Sequence, residues 1–157
     1  IVFQSGKAYQ ELRKNLVDNS LIAVISMPSG IFQPYAGVKT SILILDKKLS
    51  KEKSDILFVE MNNDGYSLSA QRKEVKGTEI PEIIENVKQF KKGEKVTFKN
   101  AFTIEKNIIA EDEYNLSVNN YKEEEIVDHQ YEDPAVIISR IIERNKEYDN
   151  LIKQLEE

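Results

Sequence analysis

The sequence predicts an α/β protein in which helices cover a sheet whose strands are buried on both faces. Three observations lead there. Leu21–Met27 and Thr40–Leu45 are short, almost wholly aliphatic runs without the polar alternation of a half-exposed strand. A helical pattern precedes the first run. No helical pattern separates the two runs, so the pair is expected to lie antiparallel at the edge of the sheet.

The elements read in order as follows. Ser5 is placed to cap a helix over residues 6–19, with Tyr9, Leu12 and Leu16 on the inward face and Lys7, Arg13 and Lys14 turned away. Pro28 ends the first strand, and Gly30, Pro34 and Gly37 keep residues 29–39 out of regular structure. After the second strand, residues 46–54 read as a lysine-rich turn, residues 55–61 as a third strand, and Asn62-Asn63-Asp64-Gly65 as a tight turn. Residues 78–92 form an amphipathic pattern through Ile80, Ile83, Ile84 and Val87, with Pro81 tolerated in the first turn. Residues 93–104 suggest a short hairpin, and residues 114–121 an extended segment. Residues 134–157 are the clearest helix. Ile138, Ile141, Asn145, Tyr148, Ile152 and Leu155 recur at alternating spacings of three and four, a heptad seam that Asn145 interrupts with a polar group. Ile137, Ile142 and Leu151 widen that stripe, so both a partner helix and a core within the chain remain open as its cover.

Composition narrows the function classes. The 157 residues are 40% hydrophobic and 31% charged, the profile of a globular chain long enough to bury a core. Without cysteine there is no disulfide framework, thiolate zinc site or cysteine nucleophile. The single histidine, His129, has no second ligand at metal spacing and reads as a surface residue; no metal is expected. Glu123-Glu124-Glu125 reads as a solvated acidic run, because three consecutive carboxylates do not converge on one ion. No apolar run approaches the ~18 residues of a membrane span, and no signal peptide is visible, so a cytoplasmic location is the expectation. The opening Ile1-Val2-Phe3 is apolar and strand-like, as if the chain began inside a domain. Charge is uneven: residues 1–53 carry eight Lys/Arg against four Asp/Glu, whereas residues 54–157 carry fourteen against twenty-three. A polyanion is compatible with the front of the molecule and disfavoured at the back.

The connector over residues 29–39 is where the sequence stops being generic. It sets Phe32 and Tyr35 in a Gly/Pro-rich frame and ends in Lys39 before Thr40 opens the strand. An eleven-residue connection between adjacent strands is long, and long connections are often functional. Two readings stand side by side. Phe32 folds back as a lid on the core with Tyr35 as a prop, or both aromatics face outward as a binding surface.

Three blocks are distinctive: Gly6-Lys7-Ala8-Tyr9-Gln10-Glu11-Leu12-Arg13-Lys14, then the run from Ala23 through Met27-Pro28-Ser29-Gly30-Ile31-Phe32-Gln33-Pro34-Tyr35-Ala36-Gly37-Val38-Lys39-Thr40 to Leu43, and last Asn63-Asp64-Gly65-Tyr66-Ser67-Leu68-Ser69-Ala70-Gln71-Arg72. Through these blocks residues 1–75 resemble the segment that follows the catalytic motif in modification subunits of type I restriction–modification systems, the adenine-N6 DNA methyltransferases. Asn115-Leu116-Ser117 with Tyr121 is similar to a weaker downstream element of the same family. The resemblance implies the C-terminal part of a Rossmann-like, three-layer methyltransferase sheet with an antiparallel final strand pair, followed by a C-terminal helical tail. It divides the chain into residues 1–75 of a catalytic domain, an α/β extension over 76–133, and the amphipathic helix 134–157.

The reaction it implies moves a methyl group from S-adenosylmethionine to the exocyclic amine of adenine in DNA. An adenine inside a duplex must leave the stack to react, and the extruded base needs a π-face to lie against. The resemblance makes Phe32 the first candidate platform and Tyr35 the second, with Lys39 on a phosphate. Thr40 completes the set, though it fits better as a backbone partner at the strand entrance than as a DNA contact. Arg72-Lys73 is either a DNA contact or a solvated pair. The family's glycine-rich donor turn and its Asn/Asp-Pro-Pro-Tyr/Phe motif do not occur in this sequence. Catalytic residues are therefore expected upstream of Ile1, and no S-adenosylmethionine site is expected within these residues. The implied partners are DNA, the specificity subunit, docked through the seam at Ile138, Ile141, Asn145, Tyr148, Ile152 and Leu155, and the restriction subunit. Two other readings stay open: a truncated paralogue that binds protein or DNA without chemistry, and an unrelated α/β domain whose loop binds a small ligand.

Overall fold

Leu21–Met27 forms strand β1, buried along its whole length as its unbroken aliphatic run requires. The computed structural model describes residues 1–122 and 133–156, and the chain divides into two compact units, residues 1–123 and 124–157. In the first unit, β1 pairs antiparallel with β2 (Thr40–Leu45) on one edge and parallel with β3 (Asp55–Glu60) on the other. Strand β4 (Ala101–Glu105) pairs antiparallel with β3, giving the order β2-β1-β3-β4. The expected antiparallel pair of Leu21–Met27 and Thr40–Leu45 is present, while the third strand lies on the far side of β1 and not beside β2.

Alternation along β1 and β3 divides the core into two halves. Ile25, Met27, Leu57 and Val59 face α3 (Ile80–Lys92) through Ile83 and Phe90. Val24, Ile56 and Phe58 face the opposite side, where Val17 of α1 (Lys7–Asn19), Ile109 of α4 (Lys106–Glu111), Leu116 and Val118 close the layer. Phe58 lies stacked 6.0 Å from Phe102 and tilted 5.2 Å from Tyr121. Helices on both faces of a mixed sheet make the three-layer arrangement.

Several local expectations are corrected. Helix α1 is capped at Gly6 without a side-chain hydrogen bond, so Ser5 is not its cap. Its buried residues are Arg13 and Val17, whereas Tyr9 and Leu12 are exposed. A charged residue faces inward here because three backbone carbonyls receive it. The Arg13 Nε donates to Tyr114 O at 2.8 Å, and its Nη1 to Gln4 O at 2.8 Å and Ile1 O at 3.2 Å. Strand β2 is an edge strand with Ile42 and Leu45 exposed, not a strand buried on both faces. The expected turn over 46–54 is a short helix, α2 (Lys47–Glu52), whose Asp46 cap accepts from the Lys48 and Leu49 amides. The Leu49 amide is the leading cause holding the Asp46 carboxyl below its ordinary range.

In α3 the inward face is Ile83, Asn86 and Phe90, with Ile80 and Ile84 exposed, and Pro81 sits in the first turn as expected. The expected hairpin over 93–104 is instead a single strand, β4, paired to β3. The segment expected to be extended, 114–121, follows α4 through two residues in the left-handed region, Glu113 and Tyr114, and ends in a short 3-10 turn at Val118–Asn120. The Tyr121 hydroxyl donates toward Asp112 Oδ2 and Asn115 O, and burial pushes its phenol pKa up. The second unit contains α5 (Pro134–Glu156), which agrees with the expected terminal helix. His129 and Glu123-Glu124-Glu125 lie outside the described residues.

Asn86 illustrates how a buried polar group earns its place in α3. Its Oδ1 accepts from the Thr97 and Phe98 amides at 2.7 and 2.9 Å, and its Nδ2 donates to Glu82 O at 2.8 Å. Asn86→Ala strands two amides and should lower unfolding free energy by about 1–3 kcal/mol. Urea denaturation reads this directly, and an unchanged midpoint would show that the Asn86 bonds do not hold the 97–98 segment.

Candidate functional site

The pairing of β1 directs the chain's irregular segments to one end of the sheet. β1 and β3 run parallel, so their carboxyl ends lie together, and the Met61 amide donates to Ser26 O at 2.9 Å. The connector 29–39 leaves β1 at that end, and the loop over 62–79 leaves β3 beside it. In α/β sheets this is the end at which ligands are bound.

The connector is anchored at its start and open at its centre. Gly30 and Ile31 are buried, Ile31 within the same core cluster as Met27 and Met61. Gly30 takes φ +85°, and a Cβ there would stand 3.1 Å from Leu68 O. Two turns follow in which the Phe32 carbonyl accepts from the Tyr35 and Ala36 amides at 2.9 and 3.0 Å. Phe32 is 48% exposed and Tyr35 95%. The reading of Phe32 as a sealed lid on the core therefore does not match its position: Ile31 takes that place, and the two aromatics are left outward. Val38 is also exposed on this segment.

Lys39 lines a shallow cavity of about 210 Å³ together with Ser26, Ser29, Glu60 and Asn62. Glu60 is held by Lys122, whose Nζ stands 2.8 Å from its carboxylate. Thr40 begins β2 opposite Met27. Its hydroxyl is buried and makes no hydrogen bond among the described residues, and neither does that of Ser41, so Thr40 is not the backbone partner expected at the strand entrance. A larger cavity of about 400 Å³ lies between residues 2–6 and 112–117 and includes no connector residue. No group of three or more potential metal ligands occurs among the described residues.

Arg72 has a different environment from the one its sequence suggested. It pairs with Asp64, donates to Ser67 O at 3.0 Å and stands 5.5 Å from the Tyr66 ring. It is built into its loop and is not a solvated cation. Sequence reasoning gave Asp64 no role beyond a turn, yet the Asn-Asp-Gly signal already marked the place. In α5, the seam residues Ile138, Ile141, Asn145, Tyr148 and Ile152 are all exposed, while the Leu155 side chain lies outside the described residues. No described helix is long and apolar enough to cross a membrane. Chemically, the connector carries two exposed aromatic residues, Phe32 and Tyr35, and ends in Lys39 at the shallow cavity.

A family model described as N-6 DNA Methylase matches residues 1–130. The type I restriction enzyme MpnII methylase subunit of Mycoplasma pneumoniae is 29% identical over 159 residues, which covers 99% of this chain and 28% of that protein. The type I restriction-modification methyltransferase subunit from Streptococcus thermophilus matches with a TM-score of 0.59 at 22% identity, over 78% of this chain and 24% of that one. A chain from the structure describing complex assembly and conformational transition of the type I R-M system matches at TM-score 0.55 and 21% identity, over 99% of this chain and 33% of its own length. The two structural likenesses show a shared fold, and this chain spans about a third or less of each protein it matches.

Burial contrast within the connector yields a stability test. Ile31→Ala should cost about 2–5 kcal/mol as a core truncation, whereas Tyr35→Ala should stay within about 0.5 kcal/mol of the parent. Comparable losses in a urea titration would mean that Tyr35 is packed and not free.

Proposed function

The chain belongs to the N-6 DNA methylase family, and from that premise we propose that it is part of the modification subunit of a type I restriction–modification system. The whole protein transfers a methyl group from S-adenosylmethionine to N6 of adenine in DNA, and this segment supplies the side that meets the target base. The observation that carries the reading is the outward exposure of Phe32 and Tyr35 on a connector rooted in the core at Ile31.

Each candidate has a separate task. Phe32 stacks on the extruded adenine, an interaction worth about 1–3 kcal/mol per base, and Tyr35 flanks it. Lys39 neutralises a phosphate, adding affinity that falls with salt and is blind to sequence. Thr40 ends the same segment, and with its hydroxyl buried it is assigned no DNA contact. The methyl donor is held elsewhere in the polypeptide, because this sequence has neither a Gly-x-Gly turn nor a Pro-Pro pair with which to build the family's donor and amine sites. When bound, the donor supplies the electrophilic methyl group; the residues here orient the base and exclude nothing of that chemistry themselves.

Helix α5 serves assembly. Its exposed Ile138, Ile141, Tyr148 and Ile152 form an apolar row that water does not favour, and Asn145 within it fixes the register of a partner helix. Leu155 continues the same spacing. The occupant is the specificity subunit, and the restriction subunit joins the same complex.

Three outcomes check this. In the full-length enzyme, Phe32→Ala should lower kcat/KM for methyl transfer by about tenfold or more with normal thermal stability, and wild-type turnover would end the base-contact role. The isolated 157-residue chain should incorporate no radiolabelled methyl into DNA, and measurable turnover would overturn the division of labour. Full-length protein ended at Asp133 should lose assembly with the specificity subunit, and unchanged affinity would remove α5 as the docking element.

A further inference from the structure

We propose that Arg72 is a positioning residue for the base-contact surface: through its ion pair with Asp64 it holds the loop 63–77 against Gly30 and so sets the direction of Phe32. This rests on the reading of Phe32 above. The loop and the connector are neighbours at Gly30, where an added Cβ would stand 3.1 Å from Leu68 O and 3.6 Å from Leu68 Cβ and force one of the two segments to shift. Packed neighbours of this kind pass displacement from one to the other, because the protein interior leaves little free volume to absorb it. If the Leu68 segment moves, Gly30 and the Phe32 two residues on move with it.

What fixes Leu68 is the loop's own bonding, and Arg72 is its centre. The Ser67 amide donates to Lys73 O at 2.8 Å, the Val75 amide to Gly65 O at 2.8 Å, and the Lys73 amide to Ser67 Oγ at 3.0 Å. Across this small hairpin the Arg72 guanidinium joins three points: the Asp64 carboxylate, Ser67 O and the face of Tyr66. The side chains of Arg72 and Asp64 are only 21% and 11% exposed, so the pair is weakly screened. Arg72 itself sits at φ +46°, a backbone region that side-chain-bearing residues seldom occupy, held there by these bonds. Ser67 and Leu68 lie between the two ends of the ion pair and have no other ionic anchor among the described residues. The Asp64 Oδ1 meanwhile accepts from the Tyr66 amide, a bond that does not need the carboxylate charge.

That last point supplies the test. In the full-length enzyme with its partners, Arg72→Gln and Asp64→Asn break the same pair from opposite sides, and Asp64→Asn is isosteric and keeps the Tyr66 bond. Target DNA carrying 2-aminopurine at the methylated adenine reports the unstacked base by fluorescence, while methyl transfer gives kcat and KM. Both variants should lower kcat by about tenfold or more and shift the fluorescence of the bound base, with KM for S-adenosylmethionine unchanged. A direct DNA contact by Arg72 predicts instead that Arg72→Gln alone weakens binding, with a shallower salt dependence, and that Asp64→Asn behaves as the parent. Parent-like behaviour of Asp64→Asn overturns the proposal. Phe32→Ala run in parallel separates the two readings: if it leaves fluorescence and turnover unchanged, the base-contact role fails; if it abolishes them while the loop variants do not, only the positioning role fails.

Discussion

Strand β1 is bordered by a neighbour on each edge and covered on each face, so its seven residues have nowhere to place a polar side chain of any size. Ser26 is its one polar residue and is itself buried. That confinement determines the geometry at its exit. The antiparallel partner β2 must be reached by a connector that turns back at the carboxyl end, and the parallel partner β3 delivers its own loop to the same place. The connector and the loop 62–79 are therefore neighbours because of hydrogen-bond pairing several residues away. Had β3 run in the opposite direction, the loop 62–79 would leave the far end of the sheet and could not buttress Gly30.

Within the connector, burial and exposure divide between adjacent residues. Ile31 is drawn into the core and Phe32 is left outside, although the two are of similar hydrophobicity. The Phe32 carbonyl, accepting two amides, closes the turn that produces this division. An aromatic ring held half in solvent by a rigid turn leaves apolar surface in water in the free protein, and it is this surface that the proposed base contact would cover. Lys39 at the other end of the segment lines the shallow cavity with Ser26, Glu60 and Asn62.

The α/β class, the position of β1, the antiparallel pairing of β1 with β2, the irregular connector and the terminal helix were legible in the sequence. They rest on long apolar runs and on Pro and Gly, whose effects are local. What was not legible depended on tertiary partners. Arg13 reads as a solvent-facing residue until the carbonyls of Ile1, Gln4 and Tyr114 are known to converge on it. Thr40–Leu45 reads as fully buried because its composition matches β1, yet on the edge strand it forms Ile42 and Leu45 are exposed, which composition alone does not reveal. The helix at Lys47–Glu52 is too short to show periodicity, and only the Asp46 cap marks it. The candidate site was legible as a segment, not as a surface: the aromatics could be named, whereas their outward direction and the Asp64–Arg72 support could not.

The central claim, that the connector carries the surface on which the target base rests, can be examined without altering the protein. DNA bearing 5-iodouracil in place of the methylated adenine, bound to the full-length enzyme and irradiated, joins the base to the side chain in stacking contact, which peptide mass spectrometry then locates. The account predicts attachment within residues 31–36, at Phe32 or Tyr35. Attachment confined to any other part of the polypeptide, with none in this segment, would contradict it.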